Sequence, residues 1–206
     1  MKPEEIEKLS FNIIDKEAGS HRFNQNEWSI VRRMIHTSAD FEYKDTVSFF
    51  NDPVVAGIKA IKAGKNIFTD TQMVRSGIRK KSIEKFGGKV SCLINDKDVA
   101  KIAKKEKTTR AKAAVDMSAD KLEGGIYAVG NAPTALLRLI ELIGKKKIKP
   151  ALILGFPVGF VNAAESKDLL MEQNISHITN KGRKGGSNIA ASVVNALIIL
   201  AEKATI

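Results

Sequence analysis

From about residue 64 onward the chain repeats one pattern. A short, almost wholly apolar run is followed by a turn rich in Gly, Asn or Asp, and then by apolar residues at helical spacing. The runs are residues 66–69, 89–94, 125–129, 151–154 and 175–179. A run that is apolar at successive positions reads as a strand covered on both faces. The stretch 131–144 carries Ala135, Leu136, Leu139, Ile140 and Ile143 on one helical stripe and stops at Gly144 before three lysines. Residues 159–173 and 187–203 read the same way, and the lysine-rich stretch 96–122, with Val99, Ile102, Ala103 and Ala113, reads as one or two exposed helices. This alternation predicts an α/β fold: a mostly parallel sheet of about five strands with helices on both faces.

The first third of the chain differs. Ile6, Leu9, Ile13 and Ile14 predict a helix over residues 3–18, stopped at Gly19. Asn24 and Glu27 form an N-x-x-E capping box that opens a second helix through Trp28, Val31, Met34 and Ile35. Residues 46–50 fit a sixth strand at an edge, and Asn51, Asp52 and Pro53 start a helix that Gly64 ends. There is neither a linker rich in Gly, Pro or Ser nor a repeat of 20–50 residues. The expected organisation is one domain over residues 1–206, with a mainly helical N-terminal part (1–64) extending a strand–helix core (65–206).

Composition narrows the function. A chain of 206 residues buries about 70% of its unfolded surface and needs no cross-links to fold. One cysteine, Cys92, excludes a disulfide framework, and three histidines leave little for a structural zinc site. No apolar run approaches the ~18 residues of a membrane span, and the charged start lacks a signal-peptide core, so a cytoplasmic location is expected. Lys and Arg number 34 against 23 Asp and Glu, a net charge of +11. Such a chain attracts polyanions: nucleic acid, an anionic membrane surface, or a small molecule with many carboxylates or phosphates. The excess can equally be lysines on solvated helix faces, so charge alone decides nothing.

In a parallel α/β sheet, ligands bind beyond the carboxyl ends of the strands. Residues 70–71, 95–96, 130–131, 155–157 and 180–182 fall there. His36 is placed in the last turn of the second helix with Arg32 and Arg33 on the same flank, where the helix dipole favours imidazolium by roughly 0.3–1 kcal/mol. With an acidic substrate bound, such a histidine can donate a proton. Alternatively, it is a solvated histidine on a basic face. The segment Lys181-Gly-Arg-Lys-Gly-Gly-Ser187 leads straight into a helix, so Gly185, Gly186 and Ser187 read as a backbone anion nest, or as no more than a glycine-rich turn. It has neither Walker nor dinucleotide spacing. Asn131, in the segment Gly130-Asn-Ala-Pro-Thr-Ala-Leu136, reads as a helix N-cap at another strand-to-helix junction. No nucleophile elbow, acidic dyad or metal-ligand cluster is present in the sequence.

At these same residues the sequence resembles the precorrin-8X methylmutases of cobalamin synthesis. The matching words are EKLSFNII (7–14), VRRMIH (31–36), TDTQMVRSG (69–77), GNAPTAL (130–136), GFPVGFVNAAESK (155–167) and GRKGGS (182–187). The resemblance implies an α/β homodimer that moves a methyl group from C11 to C12 of a corrinoid ring. It places the family's catalytic histidine on His36 and polar substrate contacts on Ser10, Arg33 and Arg110. It implies no protein-borne cofactor or metal, since any cobalt belongs to the substrate. The implied partner is an acidic corrinoid rather than nucleic acid or membrane. Its acetate and propionate arms suit a basic site lined by backbone N–H groups.

Two other readings remain. A polyanion- or nucleic-acid-binding protein without catalysis would explain the charge, but aromatics are 6% and no stacking platform interleaves with basic residues. A nicotinamide oxidoreductase would suit the sheet but lacks the glycine fingerprint. The sequence leaves open whether cobalt is already in the ring.

Overall fold

The computed structural model describes residues 2–204; the outermost positions of the expected domain, residues 1, 205 and 206, lie outside the described residues. The elements run α1 (Pro3–Ala18), α2 (Gln25–Ser38), α3 (Glu42–Thr46), β1 (Val47–Phe50), α4 (Pro53–Lys62), β2 (Ile67–Thr69), α5 (Gln72–Gly77), α6 (Lys80–Lys85) and β3 (Val90–Ser91). They continue with α7 (Lys97–Lys105), α8 (Arg110–Ser118), β4 (Ile126–Val129), α9 (Pro133–Gly144), β5 (Leu152–Gly155), α10 (Ala163–Met171), β6 (His177–Asn180) and α11 (Ser187–Lys203). The six strands form one sheet in the order β1-β6-β5-β4-β2-β3. Strands β2 to β6 are mutually parallel, and β1 closes one edge antiparallel to β6, with Val47 opposite Asn180.

Successive strand residues point to opposite faces, and both faces are covered. Ile67, Ile126, Leu152, Leu154 and Ile178 meet Ile30 and Met34 of α2, Ile61 of α4, and Val193 and Leu197 of α11. Their neighbours Phe68, Tyr127, Val129 and Ile153 meet Val115 of α8, Leu136 and Leu139 of α9, and Leu170 of α10. Each such side chain contributes about 1.5–3 kcal/mol on burial, and this two-sided burial is why the strands read as continuous apolar runs. Helix α11 is the centre of the first layer, touching α2, α4, α5, β4 and β5. Helix α7 rests mainly on α8 through Val99, Ala103, Ala113 and Ala114, which leaves its lysines in water.

The expected sheet of about five parallel strands and its edge strand are both present. The N-terminal part is not merely a helical extension, because β1 belongs to the same sheet. The run 89–94 supplies a two-residue strand only; β3 lies at the open edge and pairs with β2 alone. The helix expected from residue 159 begins at Ala163, because Gly159 (φ +140°) and Asn162 (φ +59°) hold the preceding segment in positive-φ conformations. Helices α3, α5 and α6 have five or six residues each, too short to show a periodic stripe.

Candidate active site

Strands β2, β4, β5 and β6 end on one side of the sheet. Because β1 runs the other way, its start delivers α3 and the end of α2 to that same side. His36, the glycine-rich segment 182–186, Asp70 and the start of α9 therefore occupy one face.

Helix α2 begins as its capping box dictates. Asn24 Oδ1 accepts the N–H groups of Asn26 and Glu27 at 3.0 Å, and Glu27 accepts the Asn24 N–H at 3.0 Å. It ends at Ala39 in the left-handed conformation, which leaves His36 in the last turn and exposed. Phe11 of α1 meets the His36 ring edge-on at 5.3 Å and lies under the guanidinium groups of Arg32 and Arg33, at 4.4 and 5.1 Å. Arg33 pairs with Glu7 at 3.0 Å and Arg32 with Asp15 at 2.7 Å, while the Trp28 indole donates to Asp15 at 2.8 Å. These contacts strap α1 along α2 and bring Arg33 and His36 to one cluster around Phe11. Ser10, next to Phe11, donates to the Ile6 carbonyl of its own helix at 2.9 Å.

The segment 182–186 is held from several directions. The Lys184 ammonium sits 2.6 Å from both Asp40 and Glu42. These hydrogen bonds hold its pKa above the usual lysine range, and the bond from Lys184 pulls the Asp40 carboxyl below its ordinary value. Gly186 has φ +127°, a conformation that favours glycine. Its N–H donates to the Phe156 carbonyl at 2.9 Å. This corrects the nest expectation at that position: the Gly186 N–H already has an internal acceptor. Gly185 passes so close to the loop after β5 that a Cβ there would lie 2.7 Å from the Pro157 oxygen. The Ala190 N–H is the one that bonds back to Gly186 at 3.0 Å, so the N–H groups of Ser187, Asn188 and Ile189 are the orphan donors of the first turn of α11. The Ser187 hydroxyl itself lies 3.1 Å from that of Thr71.

Asn131 does not cap α9. The N-cap position is Ala132 and makes no side-chain bond. The buried carboxylate of Asp70 accepts the N–H groups of Gly130, Asn131 and Ala132 at 2.9, 2.8 and 2.7 Å. Burial raises the Asp70 pKa and these three donors oppose the rise. The protein's own anion thus fills the concavity that the glycine turn makes, and the Asn131 side chain is left exposed. An acidic residue directly after one apolar strand, level with a glycine turn after another, is the sequence signal for such a plug.

Arg110 is exposed at the start of α8, whose N-cap Thr109 touches Thr134 at the start of α9, hydroxyl to hydroxyl at 3.0 Å. Arg183 lies over the exposed ring of Phe160, 5.4 Å from its centroid. Lys167, which sequence reasoning passed over, is fully buried, and its Nζ donates to the Lys184 carbonyl at 2.6 Å. Its signal was its place on the stripe Ala163, Ser166, Lys167 and Leu170, the face of α10 that is buried. Of the other histidines, His21 stacks on Trp28 at 4.1 Å and His177 on Phe50 at 5.2 Å, the latter at the opposite end of the sheet. Among the described residues no group of three His, Cys, Asp or Glu could hold a metal ion, and no helix is long and apolar enough to cross a membrane.

A family model described as precorrin-8X methylmutase matches residues 5–200. The chain is 48% identical to a cobalt-precorrin-8 methylmutase of Priestia megaterium, over 98% of this chain and 90% of that protein. It is 44% identical to the cobalt-precorrin-8 methylmutase of Leptospira interrogans, over 96% and 94% of the two chains. A solved precorrin-8X methylmutase from Thermus thermophilus superposes with a TM-score of 0.89 at 46% identity, covering 96% of each chain.

Proposed function

The chain belongs to the precorrin-8X methylmutase family, and on that premise we propose how its residues carry the reaction. The enzyme is an isomerase of cobalamin biosynthesis acting on a corrinoid precursor, with the methyl group passing from C11 to C12 of the ring. The reaction is an internal rearrangement: the bond from C11 to the methyl carbon breaks as the bond to C12 forms. No electrons leave the substrate, so the protein's task is to hold the macrocycle and control a ring proton.

In this reading His36 is the proton donor to the corrinoid. The observation that carries the assignment is the exposed imidazole at the carboxyl side of the sheet, held by Phe11 with Arg33 beside the same ring. Ser10, Arg33, Arg110 and the start of α11 at Ser187 receive the acid arms, with Gly185 and Gly186 shaping the approach. Asn131 contributes through its free side chain, since its N–H is taken by Asp70. The protein brings no cofactor, and cobalt enters within the substrate; the names of the two curated relatives support the cobalt-containing ring. The working unit is a homodimer in the cytoplasm. Ile6, Leu9 and Ile13 support the dimer, forming on the outer face of α1 an apolar stripe that a second copy can cover.

The deciding experiment supplies the purified protein with cobalt-precorrin-8 or its metal-free counterpart and follows the ring absorbance and the methyl resonance. Transfer of the methyl to C12 with the cobalt form in preference is the expected result. Equal turnover of both rings overturns the cobalt preference, and turnover undiminished in His36→Ala overturns the donor role. Sedimentation at working concentration reads the dimer; a monomer sinks that part alone.

A further inference from the structure

Lys167 is 0% exposed, and among the described residues its ammonium is not paired with a carboxylate. A buried cation without a counter-ion is expensive, so its retention calls for a reason. Its Nζ bonds to the main-chain oxygen of Lys184 at 2.6 Å. The Asn180 Nδ2 converges on that same oxygen at 2.9 Å and also reaches the Lys181 oxygen at 3.0 Å. On the outer side the Lys184 ammonium is gripped by Asp40 and Glu42. One residue of the glycine-rich segment is therefore held below by its carbonyl and above by its side chain. The upper grip comes from the segment that follows His36.

We propose that Lys167 is a positioning residue for substrate binding, its ammonium fixing segment 182–186 so that Arg183 and the first turn of α11 face the corrinoid's acid arms. This rests on the methylmutase reading of the site. The ammonium touches no reacting atom; it acts through the Lys184 carbonyl. Burial holds its pKa down at about 8, so the charge is carried at a real desolvation cost where a methionine would fit the same stem. Methionine would leave the Lys184 carbonyl still bonded to Asn180, and the fold should survive the exchange.

The test compares wild type, Lys167→Met and Lys167→Arg by amide exchange over residues 181–188 in the free protein, and by kcat and KM for the corrinoid. The expected result for Lys167→Met is lost protection confined to that segment and a KM raised roughly ten-fold, as for a lost charged hydrogen bond. Its kcat should stay within about two-fold, and its thermal midpoint should not fall. Lys167→Arg should recover most of the KM. Unchanged exchange in Lys167→Met overturns the proposal, as does a loosened segment with an unchanged KM. A fall in kcat and thermal midpoint together would make Lys167 structural only. Should Lys167→Met not fold, Asn180→Leu removes the second donor to the same oxygen and must raise KM in the same way. Failure of the wild type to turn over any corrinoid would refute the methylmutase reading, and exchange would still decide the bracing role.

Discussion

At the scale of single residues, two side chains carry the sharpest expectations. His36→Ala should lower turnover by about 10²–10⁴-fold while corrinoid affinity stays close to wild type, the contribution of one positioned proton donor. His36→Gln can hydrogen-bond but not donate as an acid, and should be as slow; equal losses of affinity and rate would make His36 a positioning residue instead. Asp70→Ala should cost about 2–4 kcal/mol in chemical denaturation, because it strands the N–H groups of Gly130, Asn131 and Ala132 in a buried turn. Sulfate or phosphate should restore part of the loss in that variant and not in wild type, since the emptied concavity is shaped for an anion. Residue-scale features were unevenly legible. The capping box at Asn24 and the glycine at 186 announced themselves because local backbone geometry demanded those residue types. Asp70 and Lys167 did not, because the partners that give them meaning lie on other strands and loops.

At the scale of elements, β6 joins two kinds of chemistry. Its carboxyl end supplies Asn180 beneath the glycine-rich segment, while its first residue, His177, is buried against Phe50 at the far end. The His177 Nδ1 meets the Ile175 oxygen at 2.9 Å, and its Nε2 is buried without a partner. Burial lowers the imidazole pKa below its ordinary 6.5. The fold thus prefers the neutral ring. The stability it contributes is complete above pH 6.5 and is lost as pH falls toward the folded-state value. Denaturant midpoints should decline from pH 7 to pH 5 in wild type and decline less in His177→Leu; identical slopes would assign the acid sensitivity to other groups. Elements of four residues or more with both faces buried, such as β4 and β5, could be read from the apolar runs alone. The loop that precedes α10 could not be, because Gly159 and Asn162 break the helix by positive φ rather than by any change in polarity.

At the scale of the whole molecule, the net charge of +11 overstates what a substrate meets. Arg33 and Lys184 are already matched by Glu7, Asp40 and Glu42. In the proposed reading Arg110, Lys181 and Arg183, exposed and without an ion pair among the described residues, are among the cations left to draw in the acid arms from a distance. Arg33 meets them at the cost of its bond to Glu7. Corrinoid affinity should fall several-fold as screening shortens from roughly 30 Å at 0.01 M salt to roughly 3 Å at 1 M. Arg110→Ala should flatten that response more than Lys145→Ala, a change on the solvated lysine run after α9. A flat response in wild type would mean that apolar contact with the ring dominates. The overall topology was legible from strand–helix alternation and the rules of parallel sheets. The pairing of β1 with β6 was not, since nothing local tells an edge strand which of two distant edges it will join.

That pairing and the central place of α11 have a consequence for how the molecule comes into being. Helices α2, α4 and α5 all pack on a helix that the ribosome makes last among the described elements, and β1 waits for β6. At ~5–20 residues per second, the early helices emerge seconds before the surface that completes them. A nascent chain stopped at Gly186 would carry Ile30, Met34, Ile61 and Val74 with their main cover missing. Such chains should be protease-sensitive and dependent on holding chaperones, then turn resistant once residue 203 has cleared the tunnel. Folding of this enzyme is in that sense completed only by the arrival of α11, and a protease-resistant intermediate before α11 would contradict it.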